Sequence, residues 1–241
     1  MIGSLPGGDD DFGAGKSDMD EDNVVDGKIS KGLKLNEGSA DGQFVCLDTE
    51  DTTNFHTCNG DSDIFGGSDI GTFWRDGRTG SNSPVEGLVL STSIWYNAVS
   101  TDNGGYQVIF EEGANNGQSI YLYEDEIYGI TQKAGNAGYG KAATTANEWH
   151  HVVLVWVDND AGNSYLYHDG ALVATIESKD HNAHSNSGAL GKSQSQSPRH
   201  DTNGNLGNGH SFDGILDEFR VTYTELSAGF IANTYQIEKD P

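Results

Sequence analysis

The run Glu148-Trp149-His150-His151-Val152-Val153-Leu154-Val155-Trp156-Val157 decides how this chain folds. Side chains alternate across a β-strand, so Trp149, His151, Val153, Val155 and Val157 share one face and His150, Val152, Leu154 and Trp156 the other. Both faces are largely apolar. A strand of that kind has to be covered on two sides, which makes it a central strand of a layered protein. Trp149 and Trp156 are expected in the core.

Downstream, Asp158–Asn163 turns the chain into Ser164–Tyr167, and His168-Asp169-Gly170 turns it again into Ala171–Ile176. The Asp-Gly pair suits a two-residue hairpin turn, whose central residues need positive φ. Upstream, the β-rich runs Val85–Asn97, Tyr106–Glu111, Ser119–Tyr123 and Glu126–Gln132 are separated by Gly-Asn-Asp segments. Short strands spaced by turn residues, with no crossover helix between them, read as an antiparallel meander rather than a parallel sheet. Apolar runs at Ile29–Leu35 and Phe44–Leu47 open the folded region at Gly27, and Phe212–Tyr223 is the last strand. Residues 48–84 read as long polar loops with Phe73 and Trp74 as a short strand or anchor. Ser227 is positioned to cap a short helix carrying Phe230, Ile231 and Tyr235. The fold class is therefore all-β, a two-sheet antiparallel β-sandwich with a short C-terminal helix.

The 241 residues suit one large domain, and 33 glycines against 4 prolines suit a turn-rich one. A formal charge of −24 repels phosphate backbones and anionic membrane surfaces, so nucleic acid and membrane insertion are excluded as partners. The same charge either keeps the protein dissolved or is partly neutralised by Ca²⁺, whose ligands are carboxylates and carbonyls. Residues 1–26 read as an acidic leader. Its run Asp18–Asn23 is not an EF-hand, because Asn23 and Ile29 stand where that loop needs Gly and Glu. The opening residues lack the basic and apolar blocks of a secretory signal, so the chain is expected to be either an excised domain of a secreted protein or a whole protein exported another way. Cys46 and Cys58, twelve positions apart, are read as a disulfide of an oxidising compartment, the alternative being two reduced thiols. Such a bridge contributes roughly 3 kcal/mol. Residues 177–211 read as a polar insert, and its histidines, His181, His184, His200 and His210, as members of a solvated loop rather than metal ligands.

Five blocks in order carry a family resemblance: Trp149-His150-His151-Val152, Leu166-Tyr167-His168-Asp169-Gly170, Leu190-Gly191, Phe212-Asp213-Gly214-Ile215-Leu216-Asp217-Glu218-Phe219-Arg220, and Leu226-Ser227. Together they resemble the laminin-G-like (concanavalin A-like) jelly-roll domains. That likeness is strong over residues 148–230 and loose over 27–147. It implies a two-sheet sandwich at residues 27–241, an extracellular or cell-surface setting, and a structural Ca²⁺. Asp217 would supply one oxygen to that ion, with Asp26 and Asp41 as candidates to share it; the competing role for Asp217 is a hydrogen bond to the N-terminal strand. By strand alternation Asp217 shares a face with Phe219, opposite a Glu218–Arg220 pair.

The expected function is a non-catalytic recognition or adhesion module for glycan or peptide, with calcium-stabilised loops. The alternative is a structural component of a virion, its surface contacting neighbouring subunits. Ligand-binding candidates are the aromatics Trp95, Tyr121 and Tyr123 with the loop residues Asp102, Asn103 and Asn115, although Trp95 reads equally well as core. Catalysis is not expected. The Glu-x-Asp-x-x-Glu strand of retaining glycosidases on this fold is missing, Glu111-Glu112 point to opposite faces, and no nucleophile elbow occurs.

Overall fold

The computed structural model describes residues 21–36, 45–46, 89–113, 116–157, 162–179, 188–193, 197–201, 205–207 and 209–241. In chain order the strands are β1 (Val24–Asp26), β2 (Lys31–Leu35), β3 (Val45–Cys46), β4 (Val89–Ala98), β5 (Gln107–Gly113), β6 (Gly117–Tyr123), β7 (Glu126–Lys133) and β8 (Asn136–Ala143). They continue with β9 (His150–Val157), β10 (Asn163–His168), β11 (Ala171–Glu177), β12 (Gly188–Leu190), β13 (Ser197–Pro198), β14 (Asn205–Leu206) and β15 (Gly214–Thr222), followed by the helix α1 (Ala228–Glu238). One sheet runs β1-β2-β15-β4-β9-β10-β11 and the other β3-β12-β5-β6-β7-β8, with β13-β14 as a separate small pair. Neighbouring strands are antiparallel throughout both large sheets, so the two-sheet sandwich is the observed architecture.

The two faces of β9 are covered differently. Val152 and Leu154 enter the inter-sheet core with Ile94, Tyr96, Ile109, Phe110, Ile120 and Leu122. Val153 and Val155 face outward, where Ile231 of α1 packs over them beside Tyr167. Ser227 caps α1, its side chain accepting the Phe230 N–H at 3.2 Å. Trp156 is buried, and its indole N–H donates to the Lys179 carbonyl at 2.5 Å. Trp149 departs from its expected core position. It precedes β9 and is only half-buried, because the strand begins one residue later.

Two-residue turns fix the registers. Asp169 (φ 50°) and Gly170 (φ 77°) join β10 to β11, Glu124 and Asp125 (φ 50° and 60°) join β6 to β7, and Ala134 and Gly135 (φ 50° and 79°) join β7 to β8. Consecutive left-handed residues of this kind match the twist of the strands they connect. At the edge of the sandwich β8 lies against β11 so closely that a Cβ on Gly138 would sit 2.1 Å from the Glu177 carbonyl oxygen, and one on Gly140 2.4 Å from the Ala174 Cβ.

Three differences from the sequence reading have local causes. The strand β1 lies inside the segment expected to be an acidic leader, because Val24 and Val25 pair with Leu33 and Gly32. The segment 177–211, expected as a polar loop, contributes β12 to the six-stranded sheet and β13 and β14 above it; Ala189, Ser193, Ser197 and Leu206 are all buried. Strict alternation fails in β15. A bulge between Asp217 and Arg220, with Glu218 at φ 51°, sends Phe219 into the core against Phe110 and leaves Asp217 and Arg220 on the helix side. Arg220 still pairs with Glu218, and also with Glu238 of α1 at 2.7 Å.

Candidate ligand-binding face

The outer face of the six-stranded sheet is a stripe of tyrosines. Tyr106 stands just before β5, Tyr121 and Tyr123 are on β6, Tyr128 on β7 and Tyr139 on β8, and these four strands are adjacent. Register brings Tyr121 opposite Tyr128, and Tyr139 opposite Ile130. Tyr106 and Tyr123 stack at 4.4 Å, and Tyr121 and Tyr128 at 5.3 Å. With strands about 4.8 Å apart, the stripe spans roughly 15 Å.

Residues 197–201 and 205–206 are clamped onto the middle of this stripe. His200 stacks on Tyr128 at 4.3 Å, Ser119 Oγ donates to the Pro198 carbonyl at 2.7 Å, and Gln132 Nε2 donates to Asn205 Oδ1 at 2.7 Å. The His200 N–H donates to Tyr121 Oη at 2.9 Å, while that hydroxyl lies 2.7 Å from His200 Nδ1. Burial lowers the basicity of His200, reinforced by Lys141 and Arg199 and opposed by Asp201 and Glu124. A neutral His200 accepts the Tyr121 proton at Nδ1. Tyr106 Oη donates to Asp201 at 3.0 Å, and Arg199 pairs with Asp201 at 3.0 Å.

The flanks of the stripe stay open. Tyr139 is 46% exposed, while Tyr106 and Tyr123 are half-buried. Around them lie polar groups: Lys141 Nζ 2.5 Å from Glu126, Tyr128 Oη donating to Glu126 at 3.0 Å, and Lys141 above the Tyr128 ring. Burial is the main cause that raises the hydroxyl pKa of Tyr128, and of Tyr121 much further. For Tyr123 the first cause is its hydrogen bond to Glu124, with Asp201 and Asp102 adding negative charge. The open flanks thus offer aromatic faces beside carboxylates and one ammonium, the combination that stacks on a ring and hydrogen-bonds to its hydroxyls.

The expected site residues divide. Tyr121 and Tyr123 belong to the stripe, but Tyr121 is fully buried beneath His200, so only Tyr123 of this pair presents a face. Trp95 does not belong. It is fully buried on the outer face of the other sheet, stacked under Tyr235 at 5.6 Å with its N–H donating to Glu238 at 2.7 Å. Asp102 and Asn103 are exposed, and their side chains accept the N–H groups of Gly104 and Gly105, shaping their own turn. Asn115, Asp41 and Cys58 lie outside the described residues. Tyr106, Tyr128, Tyr139 and His200 were missed. The signal for Tyr128 and Tyr139 was the pair of two-residue turns, which align them with Tyr121 and Ile130 once recognised.

The expected calcium position can be tested against its residues. Asp217 is buried and accepts the Ile29 N–H at 2.9 Å through Oδ2 and the Glu218 N–H at 2.8 Å through Oδ1. Asp26 points to solvent and pairs with Lys31 at 2.6 Å. Both Asp217 oxygens accept backbone N–H groups and Asp26 pairs with Lys31, so these two carboxylates do not fit a shared Ca²⁺.

No helix among the described residues is long and apolar enough to cross a membrane. No curated protein matches the sequence. Among solved structures, the chain resembles the binding domain of botulinum neurotoxin DC in complex with rat synaptotagmin II, at TM-score 0.56 and 15% identity, over 90% of this chain and 45% of that one. It also resembles a structure titled for the dependence of botulinum neurotoxin type C cell entry on two ganglioside molecules, at TM-score 0.53 and 16% identity, over 86% and 43%. A third is the botulinum neurotoxin serotype D/C binding domain, at TM-score 0.51 and 16% identity over the same shares. The chain thus spans less than half of those chains, and likeness at such identity concerns the fold. The sequence profile described as concanavalin A-like lectin/glucanases superfamily, of laminin-G type, matches residues 78–232. The chain belongs to that family.

Proposed function

We propose that this protein is a non-catalytic recognition module that binds glycan or peptide at a cell surface through the open flanks of its tyrosine stripe. The observation that carries this reading is the half-exposed Tyr106–Tyr123 stack and the exposed Tyr139, set on rigid strands beside Glu126, Asp201 and Lys141. A site on strands needs little ordering when ligand arrives. The fold relatives described with synaptotagmin II and with gangliosides support a binding role at a cell surface. Calcium enters the proposal as a loop-ordering counter-ion. Its support is the charge of −24, since the Asp217 pocket does not fit it.

Binding to glycan and peptide arrays, measured in calcium and in EDTA, tests the reading. Binding that falls at least about tenfold in Tyr123→Ala or Tyr139→Ala, with folding intact, supports it. No binding to either array under both conditions removes it. Equal binding with and without EDTA removes calcium alone.

A further inference from the structure

At the end of the sandwich core, His150 of β9, His168 of β10 and Asp169 of the following turn each bring one ligand atom within 4.8 Å of the others. Among the described residues this is the one such group. It lies on the other sheet from the tyrosine stripe.

The hydrogen bonds around the group decide which atoms are available. Asp169 Oδ1 accepts the His151 N–H at 2.9 Å, which leaves Oδ2 facing His150 Nδ1 at 2.8 Å. His150 Nε2 lies 2.9 Å from Thr145 Oγ1, and Thr145 Oγ1 lies 2.7 Å from Glu148 Oε2. A carboxylate only accepts, so the single Thr145 proton goes to Glu148, and the Nε2 of His150 must then donate to Thr145. With Nε2 turned to Thr145, Nδ1 is the His150 nitrogen that faces Asp169 Oδ2 and is placed to hold a cation beside it. His168 Nε2 lies 3.0 Å from Tyr96 Oη, itself 2.7 Å from Thr144 Oγ1, a hydroxyl pair that holds the orientation of the second ring. An imidazole whose far nitrogen donates to a fixed acceptor chain is how metal-binding histidines are oriented.

We infer that His150, His168 and Asp169 form a binding site for one divalent transition-metal ion of the zinc class. Two imidazoles and one carboxylate are a three-ligand set that zinc completes with water. Nitrogen ligands disfavour Ca²⁺, so this site is separate from the calcium of the proposed function. The Asp169 side chain is 30% exposed and that of His150 11%, so an ion reaches the group without unfolding of the sandwich. The position ties β9, β10 and the turn together, and bound metal raises stability by mass action.

The test is zinc chloride titrated into metal-free full-length protein, read by calorimetry and by elemental analysis after gel filtration, with cobalt(II) absorption reporting the geometry. The expected result is one ion per chain, a raised Tm, and a tetrahedral cobalt spectrum that millimolar calcium does not displace. His168→Gln, the variant furthest from the backbone network, removes uptake. Thr145→Val weakens it about 10- to 100-fold by freeing the His150 ring. His200→Gln and His210→Gln retain it. Absence of uptake in a wild-type protein that folds overturns the inference. Unchanged uptake in His168→Gln, or loss in His200→Gln, also overturns it.

Discussion

The Tyr121 hydroxyl holds His200 at two points, accepting its backbone N–H at 2.9 Å and meeting its ring Nδ1 at 2.7 Å. One buried oxygen thus fixes both the path of the 197–201 segment and the orientation of the imidazole stacked on Tyr128. Tyr121→Phe keeps the ring and removes both bonds. The expected cost is about 1–3 kcal/mol, the range for leaving buried partners unsatisfied. Urea unfolding measures it, and amide exchange should accelerate over 197–201 while β9 keeps its protection.

The same contact makes stability depend on pH. Burial holds His200 below its ordinary value of 6.5, so between that value and the lower folded one the unfolded chain binds more protons. The contribution is complete above the ordinary value and is lost as pH falls through it towards the folded value. The groups facing the ring are Asp201, Lys141, Glu124 and Arg199. Wild type should lose stability more steeply than His200→Phe between about pH 8 and pH 5. Parallel curves would show that His200 does not carry the effect.

Trp95 and Tyr139 should separate stability from recognition. Trp95→Ala empties a fully buried site beneath Tyr235 and leaves Glu238 with Arg220 alone, with an expected loss of about 3–5 kcal/mol. Tyr139→Ala removes an exposed ring and should shift the Tm little while weakening array binding. Denaturation and binding measured on both variants check the contrast.

Gly138 tests the closure of the sandwich edge. Its missing Cβ would meet the Glu177 carbonyl oxygen at 2.1 Å, and backbone there cannot yield as a side chain can. Gly138→Ala should destabilise by at least about 1–3 kcal/mol. Gly207→Ala, whose Cβ would meet no atom of the described residues within 4 Å, should stay within about 0.5 kcal/mol of wild type in urea.

Asp217→Asn distinguishes a backbone clamp from an ion ligand. The amide offers one acceptor where the carboxylate offers two, so Ile29 or Glu218 loses its partner, at about 1–3 kcal/mol. If Asp217 is a clamp only, the loss is equal with and without EDTA. A loss that disappears in EDTA would show that an ion sits there.

The continuous apolar run Val152–Val157 indicated the two-sided burial of β9, and its short length, its valines and the Asp158–Asn163 turn signals after it, rather than periodicity, marked it as a strand. The Asp169-Gly170 hairpin and the Ser227 cap were equally local, each resting on backbone preferences of the residues concerned. Other features were settled only by packing. Residues 136–143, Asn-Ala-Gly-Tyr-Gly-Lys-Ala-Ala, carry no β-branched residue and form β8 by pairing with β7 along its length, with β11 packed close over Gly138 and Gly140. The bulge at Glu218 turned Asp217 away from Phe219, and a one-residue slip reverses every face beyond it. Trp95 and Tyr139 are both aromatic residues on strands, and the placement of α1 buries the first while the second stays exposed. The strands and their turns are written in the sequence because they depend on near neighbours. Which aromatic faces remain open, and which histidines meet, follows from contacts between segments far apart in the chain.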